Sequence, residues 1–237
     1  MSGHTERDFE SAVEAGLIGA GGYERRAAGA FDETRALFPA DVTGFVKDSQ
    51  PRRWRQLEAL LGHETEATLL DTLVKELDVK GTLHVLRYGF KCYGKTFRLA
   101  CFRPNSGMNP EAADLYALNR MTVTRQVGFT SVLKNPDASN RRCIIDVTLS
   151  VNGLPVATVE LKNPLTGQRA ADAMRQYKED RDERDLLFAF KKRALVHFAV
   201  DPDEVWMTTQ LKGRETVFLP FNRGHNYGAG NPPVNGN

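Results

Sequence analysis

Within the stretch IIDVTLSVNGLPVATVELKNP, residues 144–164, three side chains are of types that together hold a divalent cation and work on a phosphate: Asp146, Glu160 and Lys162. Two carboxylates brought side by side repel one another unless a cation lies between them. An ammonium at the edge of such a pair can steady negative charge as it develops on a reacting group. Whether the three meet depends on register, because successive strand side chains point to opposite faces. Ile145, Val147, Leu149 and Val151 fall on one face of the first run, and Asp146, Thr148 and Ser150 on the other. On the second run Ala157, Val159 and Leu161 alternate with Thr158, Glu160 and Lys162. A two-residue loop at Asn152-Gly153 pairs Val151 with Leu154 and sets Asp146 opposite Val159, on the wrong face. A three-residue loop, Asn152-Gly153-Leu154, pairs Val151 with Pro155, Val147 with Val159 and Asp146 with Glu160. It gathers the apolar side chains on one face, and hairpin loops of this length that contain Gly are common, so it is the expected register.

In that register the two carboxylates lie roughly 5 Å apart at Cβ. Mg²⁺ between Asp146 and Glu160, with the backbone carbonyl of Leu161 as a further oxygen ligand, would leave positions for water and a phosphate oxygen. Lys162, one pleat beyond Glu160 on the same face, would reach the attacking water and the charge on phosphorus. The arrangement is that of the PD-(D/E)xK nucleases. The other reading is a solvated hairpin face, since an acid two residues before a lysine arises readily by chance. Asp78-Val-Lys80 is such a copy, closing an apparent helix with no strand-borne Asp before it. Residue types and spacing leave both readings open.

The elements that must position these residues show in the periodicity. Phe9, Val13 and Leu17 recur at helical spacing between Glu6 and Ile18, with Glu6, Glu10 and Glu14 forming a row that reads as a solvated face. Helices are expected from about Arg52 to Leu61 and from Glu66 to Leu77, the latter stopped by Gly81. TLHVLRYGFKCYGKTFRLACF, broken by Gly89 and Gly94, reads as a hairpin or meander. A short helical piece near Pro110 to Leu118, a strand over MTVTRQVGF and the hairpin follow. The span from about Gln168 to Arg181 is a helix, ALVHFAV and EVWMTTQL are strands joined by DPD, and TVFLPF is a last extended piece. The order of elements predicts a mixed α/β fold with one central sheet flanked by helices.

Bulk properties narrow the function classes. The chain has 237 residues with 32 basic against 30 acidic, so any contact with nucleic acid must come from local clusters and not from net charge. RRWR at 52–55 and KKR at 191–193 are such clusters, with Trp54 read as a core or interface anchor. Three scattered cysteines build neither a disulfide framework nor a zinc site. His197, in an apolar strand, reads as a hydrogen-bonded core histidine. No run is apolar enough to span a bilayer and the first residues carry no signal segment, so a cytoplasmic location with no membrane contact is expected. No phosphate-cradling loop for ATP is expected: Gly89 to Thr96 spell G-x-x-x-x-G-K-[ST], but within a run that reads as a hairpin or meander and not as a strand leading into a helix.

VNGLPVATVELKNPLTGQ, QYKEDR, LVHFAVDPDEVWMTT, FLPFNRG and GAGNPP, together with GTLHVLRYGFK and FRP, closely resemble the amino-terminal part of the R subunit of type I restriction enzymes. The likeness runs from about Asp71 to Pro233. It implies a restriction-endonuclease-like PD-(D/E)xK core and a Mg²⁺-dependent endonuclease acting on double-stranded DNA. It also implies methyltransferase (M) and specificity (S) subunits as partners, and ATP used only by motor domains beyond this sequence. On that basis residues 1–223 form the endonuclease domain, with a core at about 66–221, and the Gly/Asn/Pro-rich residues 224–237 a linker. Asp146 and Glu160 match the metal-binding acids and Lys162 the catalytic lysine. A first-helix glutamate, Glu10 with Glu6 as the alternative, is implied near the metal. Members with a Gln-x-x-x-Tyr motif find Tyr177 here, but Ala173 stands in the glutamine's place and Gln176 is adjacent. Gln176, Tyr177, Arg175 and Lys178 are the candidate contacts to the DNA backbone, with a salt-bridged solvated face as the other reading of this helix. Two alternatives to the nuclease remain: a catalytically silent docking module for the restriction complex, and a PD-(D/E)xK nuclease of another DNA-processing pathway.

Overall fold

The computed structural model of the chain describes residues 6–105, 108–131 and 142–221. The helices are α1 (Glu6–Gly19), α2 (Pro39–Ser49), α3 (Pro51–Leu61), α4 (Thr65–Lys80), α5 (Thr82–Tyr88), α6 (Pro110–Ala117) and α7 (Ala170–Glu179). The strands are β1 (Glu24–Arg26), β2 (Phe90–Cys92), β3 (Lys95–Phe97), β4 (Met121–Thr130), β5 (Arg142–Val151), β6 (Leu154–Leu161), β7 (Val196–Val200), β8 (Val205–Thr208) and β9 (Leu219–Pro220). Seven of the strands form one mixed sheet in the order β1-β4-β5-β6-β7-β8-β9, while β2 and β3 make a separate hairpin. The β1–β4 and β6–β7 pairs are parallel and the other pairs antiparallel. The expected mixed α/β architecture is therefore present, and it is consistent with a restriction-endonuclease-like fold.

Both faces of the sheet are covered. Phe9, Val13 and Leu17 of α1 pack on Val123, Val147, Val159 and Leu161. Tyr177 of α7 packs with Val127, Phe129, Ile145 and Phe188 in a second cluster. A third, larger cluster joins α2, α3 and α4 to the β2–β3 hairpin and to Leu154. Trp54 is buried there, with the Lys47 ammonium 4.6 Å from its ring, and so is an anchor as its context suggested. No described helix is long and apolar enough to cross a membrane.

Several expectations need correction. The segment TLHVLRY is helix α5, not strand: Gly81, at φ +84°, ends α4, and Thr82 restarts a helix whose Oγ1 donates to the Lys192 carbonyl. Only the following Gly-containing piece forms the hairpin. Two elements went unread. Helix α2 begins at Pro39, a residue preorganised for a first helical turn. Strand β1 consists of charged residues alone and is held by parallel pairing to β4. The KKR cluster is not a free basic patch either, since Arg193 is fully buried and donates to the Arg35 carbonyl and to Asp78. The linker residues 224–237 lie outside the described residues.

The hairpin itself follows neither expected register throughout. Its turn has two residues, Asn152 at φ +50° and Gly153 at φ +84°, and Val151 pairs with Leu154. Val156 then bulges out of the ladder, so that Leu149 pairs with Ala157 and Val147 with Val159. A bulge adds one residue to one strand and restores the register that a longer loop would have given. The turn is short because it is docked: the Phe38 amide donates to the Gly153 carbonyl, and Asn152 is buried, donating to the Leu99 carbonyl and accepting from the Arg120 amide. The apolar side chains are also not all on one face. Ile145 packs on the α7 side and Val147 on the α1 side, and the switch falls at Asp146. Across from Asp146 on β4 stands Gln126, flanked by the pairs Arg125–Val147 and Val127–Ile145 and held at φ +54°, a left-handed backbone that turns the strand's faces over at that point.

Candidate active site

The bulge brings Asp146 and Glu160 together at the end of the β5–β6 pair. Glu160 is fully buried, and the Asp146 carboxyl lies in hydrogen-bond contact with it. Asp146 is fixed from the other side by the Leu161 amide, which donates to its Oδ2 at 2.8 Å. Lys162, also buried, comes directly after β6, its amide donating to the Val200 carbonyl of β7. Parallel pairing of β6 with β7 thus sets where the strand bearing Glu160 ends and Lys162 follows.

Burial and, after it, the charge of Asp146 raise the Glu160 carboxyl to about 8, against the opposing pull of Arg181. Arg181 was not among the residues singled out for the site. It lies just beyond α7, donates from Nε to Glu160 Oε1 at 2.7 Å, and brings Nη2 within 2.5 Å of the same oxygen. Nη2 also donates to the Ile144 carbonyl, and the guanidinium rests over the Phe129 ring at 5.6 Å. A signal for it existed: Ala173, Tyr177 and Arg181 are spaced by four, and the first two form the buried stripe of α7, so an arginine continuing it needs a buried acid as partner.

Glu160 Oε2 is buried and meets no hydrogen-bond donor. The neighbour of Glu160 is the Asp146 carboxyl, which accepts and does not donate once ionised. Only a shared proton or a cation reconciles such a pair, so the two acids fit a divalent ion with oxygen preference. The fit rests on these two side chains. Among the described residues no group of three His, Cys, Asp or Glu side chains could hold a metal by itself.

Glu10 approaches from α1 but is bound elsewhere: Gln126 Nε2 donates to its Oε1 at 2.8 Å, and Arg125 donates to Oε2 from Nε and Nη2. It reaches the strand position beside Asp146 through Gln126. The glutamate row is consequently no solvated face. Glu10 and Glu14 are both buried, and Glu14 forms a two-pronged pair with Arg25. Glu6 begins α1, and its side chain lies outside what is described.

Of the four residues expected at the DNA backbone, Tyr177 is placed otherwise. It is fully buried, with its hydroxyl 2.9 Å from Thr158 Oγ1, an interior position that no phosphate backbone can meet. Arg175 is exposed and paired with Asp172 at 2.5 Å, while Gln176 and Lys178 are half-buried. His197 is a core histidine, its Nδ1 2.7 Å from Thr158 Oγ1.

Residues 69–216, more than half of the chain, match the family model of the type I restriction enzyme R protein N terminus. The chain belongs to that family. No curated protein matches it. The matched span runs from α4 to the segment before β9 and so contains the whole β5–β6 hairpin, Lys162 and Arg181. As an R-protein N terminus, the chain sets its two apposed acids and its strand-end lysine in a family named for restriction.

Proposed function

We propose that this R-protein N terminus is a Mg²⁺-dependent endonuclease domain that hydrolyses phosphodiester bonds of double-stranded DNA after ATP-driven translocation by motor domains carried elsewhere in the subunit. The observation that carries the reading is the buried contact of Asp146 with Glu160, in which Glu160 Oε2 has no donor. Asp146 and Glu160 would hold the ion, with the Leu161 carbonyl as a third candidate oxygen and Glu10 supporting from α1 through Gln126. When bound there, Mg²⁺ supplies Lewis-acid stabilisation of the phosphoryl oxygens. Lys162, buried at the strand end, places a positive charge where the phosphate gains negative charge and orients the water that attacks it. Arg175, Gln176 and Lys178 on the outer face of α7 would line the approach of the DNA backbone. Products would be 3′-hydroxyl and 5′-phosphate ends. The working assembly would include the M and S subunits and operate in the cytoplasm.

A catalytically silent docking module is the second reading, and the Arg181–Glu160 ion pair favours it, because a buried acid neutralised by arginine also stands without metal. The family match speaks against a nuclease of another pathway. The test is DNA cutting by the complete restriction enzyme carrying Asp146→Ala, Glu160→Ala or Lys162→Ala. Each should lower cutting by about a hundredfold or more, with ATP hydrolysis and translocation preserved. Cutting that survives all three substitutions leaves the docking module standing instead.

A further inference from the structure

The two oxygens of Glu160 have different surroundings. Oε1 accepts from Nε of Arg181 and lies in ion-pair contact with its Nη2, whereas Oε2, equally buried, has no donor. The guanidinium cannot swing away freely. Its Nη2 is also bonded to the Ile144 carbonyl, its face rests on Phe129, and only 6% of the side chain is exposed. A carboxylate that bridges two metal ions through both of its oxygens offers one oxygen to each. In this chain the side of Glu160 where a second ion would bind is already filled by a fixed cation.

Resting on the proposed reading of Asp146 and Glu160 as metal ligands, we infer that Arg181 is a positioning residue standing in for a second metal: it occupies Glu160 Oε1, leaves Oε2 alone for a divalent ion, and makes this a one-ion centre. The guanidinium does two things. It holds Glu160 in the rotamer that leaves Oε2 without a donor, and its charge repels the ion that the two acids attract. The centre therefore holds one ion, and holds it more weakly than two unopposed carboxylates would.

The test is Mn²⁺ binding to the 237-residue chain at pH 8, followed by calorimetry and by the free-ion signal in electron paramagnetic resonance, so that it does not depend on cutting. The wild-type chain should bind one Mn²⁺, and Glu160→Gln should remove it. Arg181→Gln should bind about fivefold more tightly or take a second ion, since a fixed charge next to the site is gone, and Arg181→Lys should stay close to the wild type. Two ions on the wild-type chain, or unchanged or weaker binding by a folded Arg181→Gln, overturns the inference while leaving the metal site intact. If Arg181→Gln fails to fold, the wild-type stoichiometry decides: one ion supports the inference and two defeat it. No binding by the wild type defeats the metal-centre reading itself.

Discussion

Thr158 Oγ1 sits between Tyr177 Oη and His197 Nδ1, so one buried hydroxyl joins the helix α7 to two central strands. Tyr177 in this position acts on the fold and not on DNA. Tyr177→Phe should cost about 1 kcal/mol of stability in urea unfolding, the net worth of one such hydrogen bond, with DNA cutting unchanged; a loss of cutting without loss of stability would place the tyrosine back at the phosphate. Thr158→Val strips a partner from both neighbours and should cost more, about 1–3 kcal/mol. His197 adds a pH dependence. Burial pushes its imidazole down to about 4, whereas an unfolded histidine titrates near 6.5. Between those values the unfolded chain takes up a proton that the folded chain refuses. Its contribution to stability is therefore complete above about pH 6.5, declines as pH falls toward 4, and amounts to at most about 3 kcal/mol. Urea midpoints measured from pH 7 to 4 should fall, and fall less in His197→Gln; parallel profiles for the two proteins would show that other groups govern the acid limb.

The β5–β6 hairpin shows how far an element can be read before packing intervenes. Alternation placed Asp146 and Glu160 on the polar sides of their strands, and the register from Leu149 onward is the one that the apolar pattern required. The loop that should have produced it is absent. A two-residue turn is favoured by left-handed Asn-Gly, and the shift that rescues the site comes from the bulge at Val156, whose carbonyl accepts from the Leu195 amide. Nothing local encodes that contact, because Leu195 is far along the chain and Gly153 is fixed by Phe38. The face switch at Gln126 was hidden for a similar reason: a left-handed glutamine within a strand pattern has no signature of its own. Gly153→Ala tests the docked turn. Its Cβ would meet the Phe38 carbonyl oxygen at 2.6 Å and the Val42 amide at 2.7 Å, on a backbone at φ +84°. The expected cost is about 2–4 kcal/mol, combining a positive φ with a clash against main chain, and metal binding should weaken as the strand ends shift. A variant as stable as the parent would mean that the turn can leave Phe38 at little cost.

At the scale of the molecule, the order of strands and helices was legible because periods change cleanly from helical to alternating, and the family strings lie within that readable part. The residues before the family match were the less legible ones, and they do much of the packing. Phe9, Val13 and Leu17 cover the sheet face formed by Val123, Val147, Val159 and Leu161. Leu37, Val42, Phe45, Val46, Trp54 and Leu57 make up much of the largest cluster. Glu10 and Glu14 bind Arg125 and Arg25, and strand β1 extends the sheet at one edge. Each large side chain withdrawn from water contributes roughly 1.5–3 kcal/mol, while a whole domain is stable by only about 5–15 kcal/mol. Losing nine such residues exceeds that margin even after generous discounting for residual structure in the unfolded chain. A fragment of residues 66–221, which contains the entire family match and every proposed metal ligand but not the supporting Glu10, should therefore fail to fold: it should lack near-ultraviolet circular dichroism and a cooperative urea transition, and bind Mn²⁺ at least about tenfold more weakly than residues 1–221, because Asp146 and Glu160 are held together only by an ordered sheet. A fragment that melts cooperatively and retains the ion would show that the helices before α4 dress a nuclease core that stands without them.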